Sequence, residues 1–269
     1  AFGMLVGVHL AFALLLPSRP PVAPSCRGGV PVASDGGSLS VASDSTWLRG
    51  VLDQDEQDRF TLATHLHHSR EVAEQDRTEL TYGEFDLDGF HEALDCAVDG
   101  LPDLSRCTFC DLGSGAGRLV LAAAARYPWE RCIGIEALPD LHHMAGLLHA
   151  VAIDAAAEAG GAALSPCEFR ELEVSPETAK EALGAVDVLF AFSTCFDDVA
   201  LADMLAAGLR PGTRVVTVDS MLPNRGDPAA AGLPRFRLLR RATICEHTAY
   251  VWELSDAPPA LWIDYALLT

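Results

Sequence analysis

The chain has 269 residues, 49% of them hydrophobic and 21% charged, with 38 acids against 19 basic residues and a formal net charge of −19. That length and composition suit one folded domain with additional segments, and they exclude a chain disordered throughout. Lys180 is the only lysine and the arginines are scattered, so the clustered cations that grip nucleic-acid phosphates are missing and direct nucleic-acid binding is not expected.

The chain opens on an apolar run from Ala1 to Leu16, broken only by His9 and stopped by Pro17-Ser-Arg-Pro-Pro21. The run is shorter than the roughly 20 residues a spanning helix needs. Residues 1–24 are therefore read as a hydrophobic targeting segment of the secretory or organelle type, with a short anchor as the alternative. Any membrane contact is expected only through this segment, if it is retained. Without such targeting the expected location is nuclear or cytoplasmic. Residues 25–46 are rich in Pro, Gly, Ser and Ala without an apolar period, which is linker composition.

Residues 47–104 read as a helical N-terminal part. A weak apolar stripe (Leu48, Val51, Leu52, Phe60, Leu62, Leu66) predicts helix from Trp47 to about Arg77. A second helix is predicted over 87–98, stopped by Gly100 and Pro102. From 105 to 257 strand-like and helical runs alternate. Strands are predicted at 107–112, 132–136, 167–173, 186–192 and 214–219, and helices at 118–126, 139–159, 176–183 and 197–209. Such alternation implies right-handed crossovers and a parallel sheet covered on both faces. Two further strand-like runs, 236–244 and 248–254, have no helix between them and read as an antiparallel hairpin at the sheet edge. The expected fold is an α/β, Rossmann-like seven-stranded methyltransferase sheet: five parallel strands plus a C-terminal antiparallel hairpin, with helices on both faces. Residues 258–269 form a tail.

The first strand runs into Asp111-Leu-Gly-Ser-Gly-Ala-Gly117 and then into a helix. Glycine lets the backbone pass close beneath a ligand, and the helix start offers free N–H donors to a carboxylate. Dinucleotide folds use G-x-G-x-x-G, whose third glycine would stand where this chain has Arg118. A carboxylate at Asp111 suits a cofactor bearing an ammonium group and suits a pyrophosphate poorly. S-adenosyl-L-methionine is the cofactor expected, held by Asp111, Gly113, Ser114, Gly115 and Gly117. Glu136 ends the second strand, where an acid can accept both ribose hydroxyls, with Ala137 beside it. Glu173 ends the third predicted strand, where an acid could accept the adenine amino group; Glu171 competes for that place.

Thr81-Tyr-Gly-Glu-Phe85, Asp-Leu-Gly-Ser-Gly-Ala-Gly-Arg-Leu-Val120 and Gly-Ile-Glu136 follow one another in order. Together they resemble the non-SET histone-lysine methyltransferases, the disruptor-of-telomeric-silencing family, and more closely its divergent protist relatives. The resemblance covers about residues 78–220. It implies that Tyr82 to Glu84 belong to a loop closing over the cofactor, with Glu84 near the cofactor's amino-acid end. It also implies a methyl-transfer channel after the fourth strand. There the family carries an Asn-Asn-Phe-Ala-Phe-like run and this chain has Phe192-Ser-Thr-Cys-Phe196. Phe192 is expected beside the cofactor, and Tyr82, Ser193, Thr194 and Phe196 are the expected catalytic set. A hydroxyl at 193 offers one rotating donor where an amide offers a fixed donor and acceptor. The family's basic nucleosome-binding extension has no counterpart here.

The expected activity is protein-lysine N-methylation. A small-molecule methyltransferase with the same cofactor site and a non-catalytic cofactor-binding protein are the alternatives. The partner expected is therefore a methyl acceptor, either a protein lysine or a small molecule. Metal is not expected. Cys107 and Cys110 form a C-x-x-C with no second pair at zinc spacing and read as small buried residues. His65, His67 and His68, and likewise His142 and His143, lack the H-E-x-x-H form and read as solvated helix faces.

Overall fold

The computed structural model describes residues 46–53, 84–160, 164–193, 197–222, 235–244 and 246–255. The predicted targeting segment, nearly all of the linker, the tail, and residues 54–83, which include most of the helix predicted from Trp47 to about Arg77, lie outside the described residues. The elements in chain order are α1 Thr46–Leu52, α2 Leu87–Val98, β1 Thr108–Leu112, α3 Arg118–Arg126, β2 Arg131–Glu136, α4 Pro139–Glu158, β3 Cys167–Glu171, α5 Ala179–Leu183, β4 Val188–Ala191, α6 Asp198–Gly208, β5 Arg214–Val218, β6 Arg235–Ile244 and β7 His247–Ser255.

The strands form one sheet in the order β3-β2-β1-β4-β5-β7-β6. Strands β1 to β5 are parallel, and β7 runs antiparallel to both β5 and β6. This is the seven-stranded arrangement expected, with one refinement. The hairpin does not append its strands in chain order: the later strand, β7, inserts next to β5, and β6 takes the edge.

Alternation along the strands fills two apolar layers, since neighbouring side chains on a strand point to opposite faces. Phe109, Val188, Phe190, Val216 and Val218 join α2 and α3 in one layer. Cys110, Leu112, Leu189, Ala191 and Val215 join α5 and α6 in the other. Phe90 of α2 packs edge-on against Phe109 and Phe190, with ring centroids 6.1 and 5.1 Å apart. Cys110 and Cys132 are fully buried packing residues, while Cys107 precedes β1 and is half-buried. Among the described residues no cluster of three or more His, Cys, Asp or Glu side chains could hold a metal.

Helix α2 controls what reaches the sheet's carboxyl edge. Asp86 caps it by accepting the Gly89 N–H at 2.8 Å, which sets where Glu84 and Phe85 leave the chain. Gly89 lies against β6: a Cβ there would stand 2.2 Å from Ile244 Cγ2. Gly89→Ala should therefore destabilise the fold by about 1–2 kcal/mol, because overpacking outweighs the gain in helix propensity. Urea unfolding checks this, and a stabilised variant would contradict the close contact.

The strand predictions at 167–173 and 186–192 are longer than the strands formed. β3 ends at Glu171 and β4 covers Val188–Ala191. β3 is shortened at its carboxyl end, so Glu173 lies beyond its strand, whereas β4 is shortened at both ends.

Candidate active site

Because β1 to β5 are parallel, their carboxyl ends share one edge. The sheet order reverses direction between β1 and β4, where crossovers leave opposite faces and open a crevice. A cleft lies there, lined by Glu84, Phe85, Asp111, Gly113, Ser114, Gly115, Ala116, Arg118, Leu119 and Phe192.

The floor is the glycine loop. Gly113 and Ser114 both donate backbone N–H groups to the Ile135 carbonyl, at 2.9 and 3.0 Å, and Gly117 donates to Ser114 at 2.8 Å. Gly113, Gly115 and Gly117 all have positive φ, at 78°, 54° and 81°, a conformation side chains disfavour. Gly117 is the N-cap of α3 and brings no side-chain cap. The first N–H groups of that helix are thus available to an anionic group.

Asp111 is 3% exposed. It pairs in register with Phe190 of β4 and Gly134 of β2, and its carboxyl has no hydrogen-bond partner among the described residues. Burial, and second the nearby charge of Glu136, push that carboxyl up to about 8. Glu136 is turned inward. Its Oε2 accepts the Gly115 N–H and its Oε1 the Leu138 N–H, each at 2.8 Å. It braces the glycine loop from β2.

The opposite wall comes from the N-terminal part. Glu84, itself nearly buried, pairs with Arg118 at 2.8 Å. Arg118 also donates to the Leu52 carbonyl at 3.2 Å, so the residue after the glycine loop ties α1 and the Glu84 segment to the cleft. Phe85 and Phe192 form an aromatic side, with ring centroids 5.4 Å apart.

The structure thus gathers Glu84, Asp111, Gly113, Ser114, Gly115 and Phe192 around one cleft. Gly117 lies beneath it, and Glu136, half-buried Ala137 and exposed Glu173 follow along the same edge over β2 and β3. Tyr82, Thr194 and Phe196 lie outside the described residues. Ser193 is only 1% exposed. Its hydroxyl donates to the Val218 carbonyl at 2.9 Å and accepts the Val218 N–H at 3.1 Å, which pins the end of β4 to the end of β5. Sequence reasoning assigned no role to Phe85 or Arg118. Both stand inside motifs that carry the resemblance, Phe85 in Thr81–Phe85 and Arg118 directly after the glycine loop.

An amino-acid ligand fits this arrangement. Among the described residues the buried Asp111 carboxyl meets no cation, and the buried Ser114 hydroxyl has no hydrogen-bond partner. A Cβ built on Gly113 would meet nothing within 4 Å, so there is room above the loop. Asp111 can face an ammonium, and the start of α3 can face a carboxylate.

The profile of the family described as "Histone methylation protein DOT1" matches residues 70–231, more than half of the chain. No curated protein matches. Among solved structures the chain is similar to an RNA methyltransferase from Salinibacter ruber in complex with S-adenosyl-L-homocysteine. The identity is 26%, over 68% of this chain and 100% of that one, with a TM-score of 0.47. It is also similar to the rRNA methyltransferase aviRa from Streptomyces viridochromogenes, at 19% identity over 65% and 87% of the two chains, with a TM-score of 0.49. The protein belongs to the DOT1 histone-methylation family and is an S-adenosylmethionine-dependent methyltransferase.

Proposed function

We propose that the protein methylates lysine side chains of proteins. The observation that carries this reading is the family match, which runs through both the Thr81–Phe85 segment and the Phe192–Phe196 segment on either side of the cleft. The net charge of −19 favours a basic polypeptide as the acceptor. In this reading the apolar N-terminal segment directs the enzyme to substrates outside the nucleus.

S-adenosyl-L-methionine, when bound, supplies a methyl group activated by the sulfonium. The chain's own residues bind, orient and exclude water. Asp111 holds the ammonium, the first N–H groups of α3 hold the carboxylate, and Glu136 accepts the ribose hydroxyls while bracing Gly115. Glu173 with Ala137 serves the adenine end, and Glu84 and Tyr82 close the amino-acid end. Phe85 and Phe192 wall the acceptor side, followed by Thr194 and Phe196. A lysine amine, whose unperturbed pKa is about 10.4, must arrive neutral.

One observation favours a small-molecule acceptor instead. Ser193, where the family carries an amide, has its hydroxyl committed to Val218. A radiolabelled methyl assay on core histones, total lysate protein and small-molecule extract separates the two readings. Label recovered on lysine in a protein fraction is the expected result. Label confined to the small-molecule fraction would remove the lysine reading.

A further inference from the structure

The carboxyl end of β5 and the amino end of β7, which lie side by side because the two strands are antiparallel, carry a polar pair that the cofactor cleft does not use. His247 opens β7, and its Nδ1 lies 2.5 Å from Asp219 Oδ2. Asp219 follows β5 with φ 59°, and no other non-glycine residue among those described has positive φ. Such a conformation persists only where the surroundings enforce it, and it concentrates at functional positions. Here the enforcement is visible. Asp219 N–H donates to the Thr248 carbonyl at 2.8 Å, and the Thr248 N–H donates to Asp219 Oδ1 at 2.7 Å. One carboxylate oxygen is therefore held by the backbone and the other is aimed at the imidazole.

The imidazole reaches the acceptor side of the cleft. Its ring lies 5.4 Å from Phe192, edge-on, and 5.6 Å from Phe85, and both phenylalanines line the cleft. With Nδ1 on Asp219, Nε2 is the nitrogen left to act, and it has no hydrogen-bond partner among the described residues. The side chain is 35% exposed. Its ion pair is with Asp219, Phe85 and Phe192 meet it with rings, and Glu246 precedes it in the turn. Ser193, two residues beyond β4, has its hydroxyl engaged by Val218 and takes no part in the proton transfer.

We propose that His247, oriented by Asp219, is the base that removes the proton from the methyl acceptor. This rests on the lysine reading above. The acceptor ammonium gives one proton to the Nε2 lone pair, and the electrons of the broken N–H bond stay on nitrogen as the attacking pair. The imidazolium charge rests against Asp219, which fixes the tautomer as a carboxylate does for any histidine base. The proton then leaves through the exposed ring edge to solvent.

The test has two arms on the full chain. In the first, single-turnover methyl transfer to core histones is followed from pH 6 to 9.5 for wild type, His247→Gln and Asp219→Asn. His247→Gln should lose roughly 100-fold at pH 7, within the usual range for general-base catalysis. Its rate should then climb about tenfold per pH unit as the free lysine fraction rises, whereas the wild-type rate should climb less steeply because a base within the site supplies the neutral amine. S-adenosyl-L-methionine affinity, measured by calorimetry, should not change. A loss of equal size at every pH marks a packing role and overturns the proposal, as does an unchanged rate. In the second arm, wild type saturated with S-adenosyl-L-homocysteine is titrated with Nα-acetyl-lysine amide while the His247 Cε1–H resonance is observed. A shift is expected. Its absence overturns the proposal whatever the turnover, and a shift without histone labelling removes the lysine-transfer reading while leaving the amine-accepting pair in place.

Discussion

Asparagine in place of Asp111 should weaken S-adenosyl-L-methionine binding about a hundredfold and remove the pH dependence of that binding. Asp111 stands on the central strand β1, between β2 and β4, at 3% exposure, where a charge without a partner is costly. Burial and the charge of Glu136 raise it to about 8, so near neutrality the ligand-free protein holds this group largely protonated. An ammonium arriving against it reverses the balance, and binding must release that proton. Wild-type affinity should therefore rise by up to tenfold per pH unit from pH 6 towards 8, with an apparent enthalpy that depends on the buffer's heat of ionisation. Asparagine keeps the shape and loses the charge. A lost ion contact in a desolvated site costs about 2–5 kcal/mol, which supports the hundredfold figure. The linkage to folding runs the opposite way. Asp111 has a folded value above its unfolded one, so its contribution to stability is present below about pH 4 and is lost as pH rises towards 8. The ligand-free asparagine variant should match or exceed wild type in thermal stability at pH 8 despite its weakened binding. A wild-type affinity flat across this range would contradict the buried, protonated carboxyl.

Gly117→Ala should be the most damaging single-methyl change in the cofactor loop, lowering stability by roughly 3 kcal/mol. Two costs combine. The residue has φ 81°, which disfavours any side chain by about 1–2 kcal/mol. The added Cβ would also stand 2.6 Å from Phe169 Cε1 and 3.0 Å from Ala145 Cβ, an overpacking cost of about 1–3 kcal/mol. Gly113 offers the control. Its φ is 78°, but a Cβ there meets nothing within 4 Å. Gly113→Ala should therefore cost about 1–2 kcal/mol of stability and act mainly by occupying ligand space. Thermal unfolding should separate them, with a fall of about 6–12 °C for Gly117→Ala and about 2–8 °C for Gly113→Ala. Phe169→Leu in the Gly117→Ala background should recover part of the loss, and strict additivity of the two changes would argue against the contact.

The sheet was legible because its signals are local. Each strand is a short apolar run bounded by a turn, and α3 is predicted and found at 118–126 because Gly117 starts it and Tyr127 leaves it extended. The glycine loop was legible for the same reason, since its chemistry occupies consecutive residues. What depends on pairing between distant segments was not. Nothing near Ser193 announces that its hydroxyl closes onto Val218, 25 residues away. Glu84 with Arg118, and Asp219 with His247, come together only once α2 and β7 have docked. β3 stops early because Glu173 has left the ladder, a boundary that alternating polarity alone does not mark.

The position of β7 between β5 and β6 has a consequence for synthesis on the ribosome. β1 to β5 can each join the sheet beside strands already present or soon to follow. β6 leaves the ribosome before β7, and β7 is the strand that hydrogen-bonds to it, so β6 must wait for its partner. Asp219 likewise gains its Thr248 and His247 contacts only with β7. The cradle around Asp111 and Glu136 is drawn from β1 and β2 and can form while the chain is still growing. The nascent protein is thus able to shape the cofactor side of its crevice before the Asp219–His247 pair is in place.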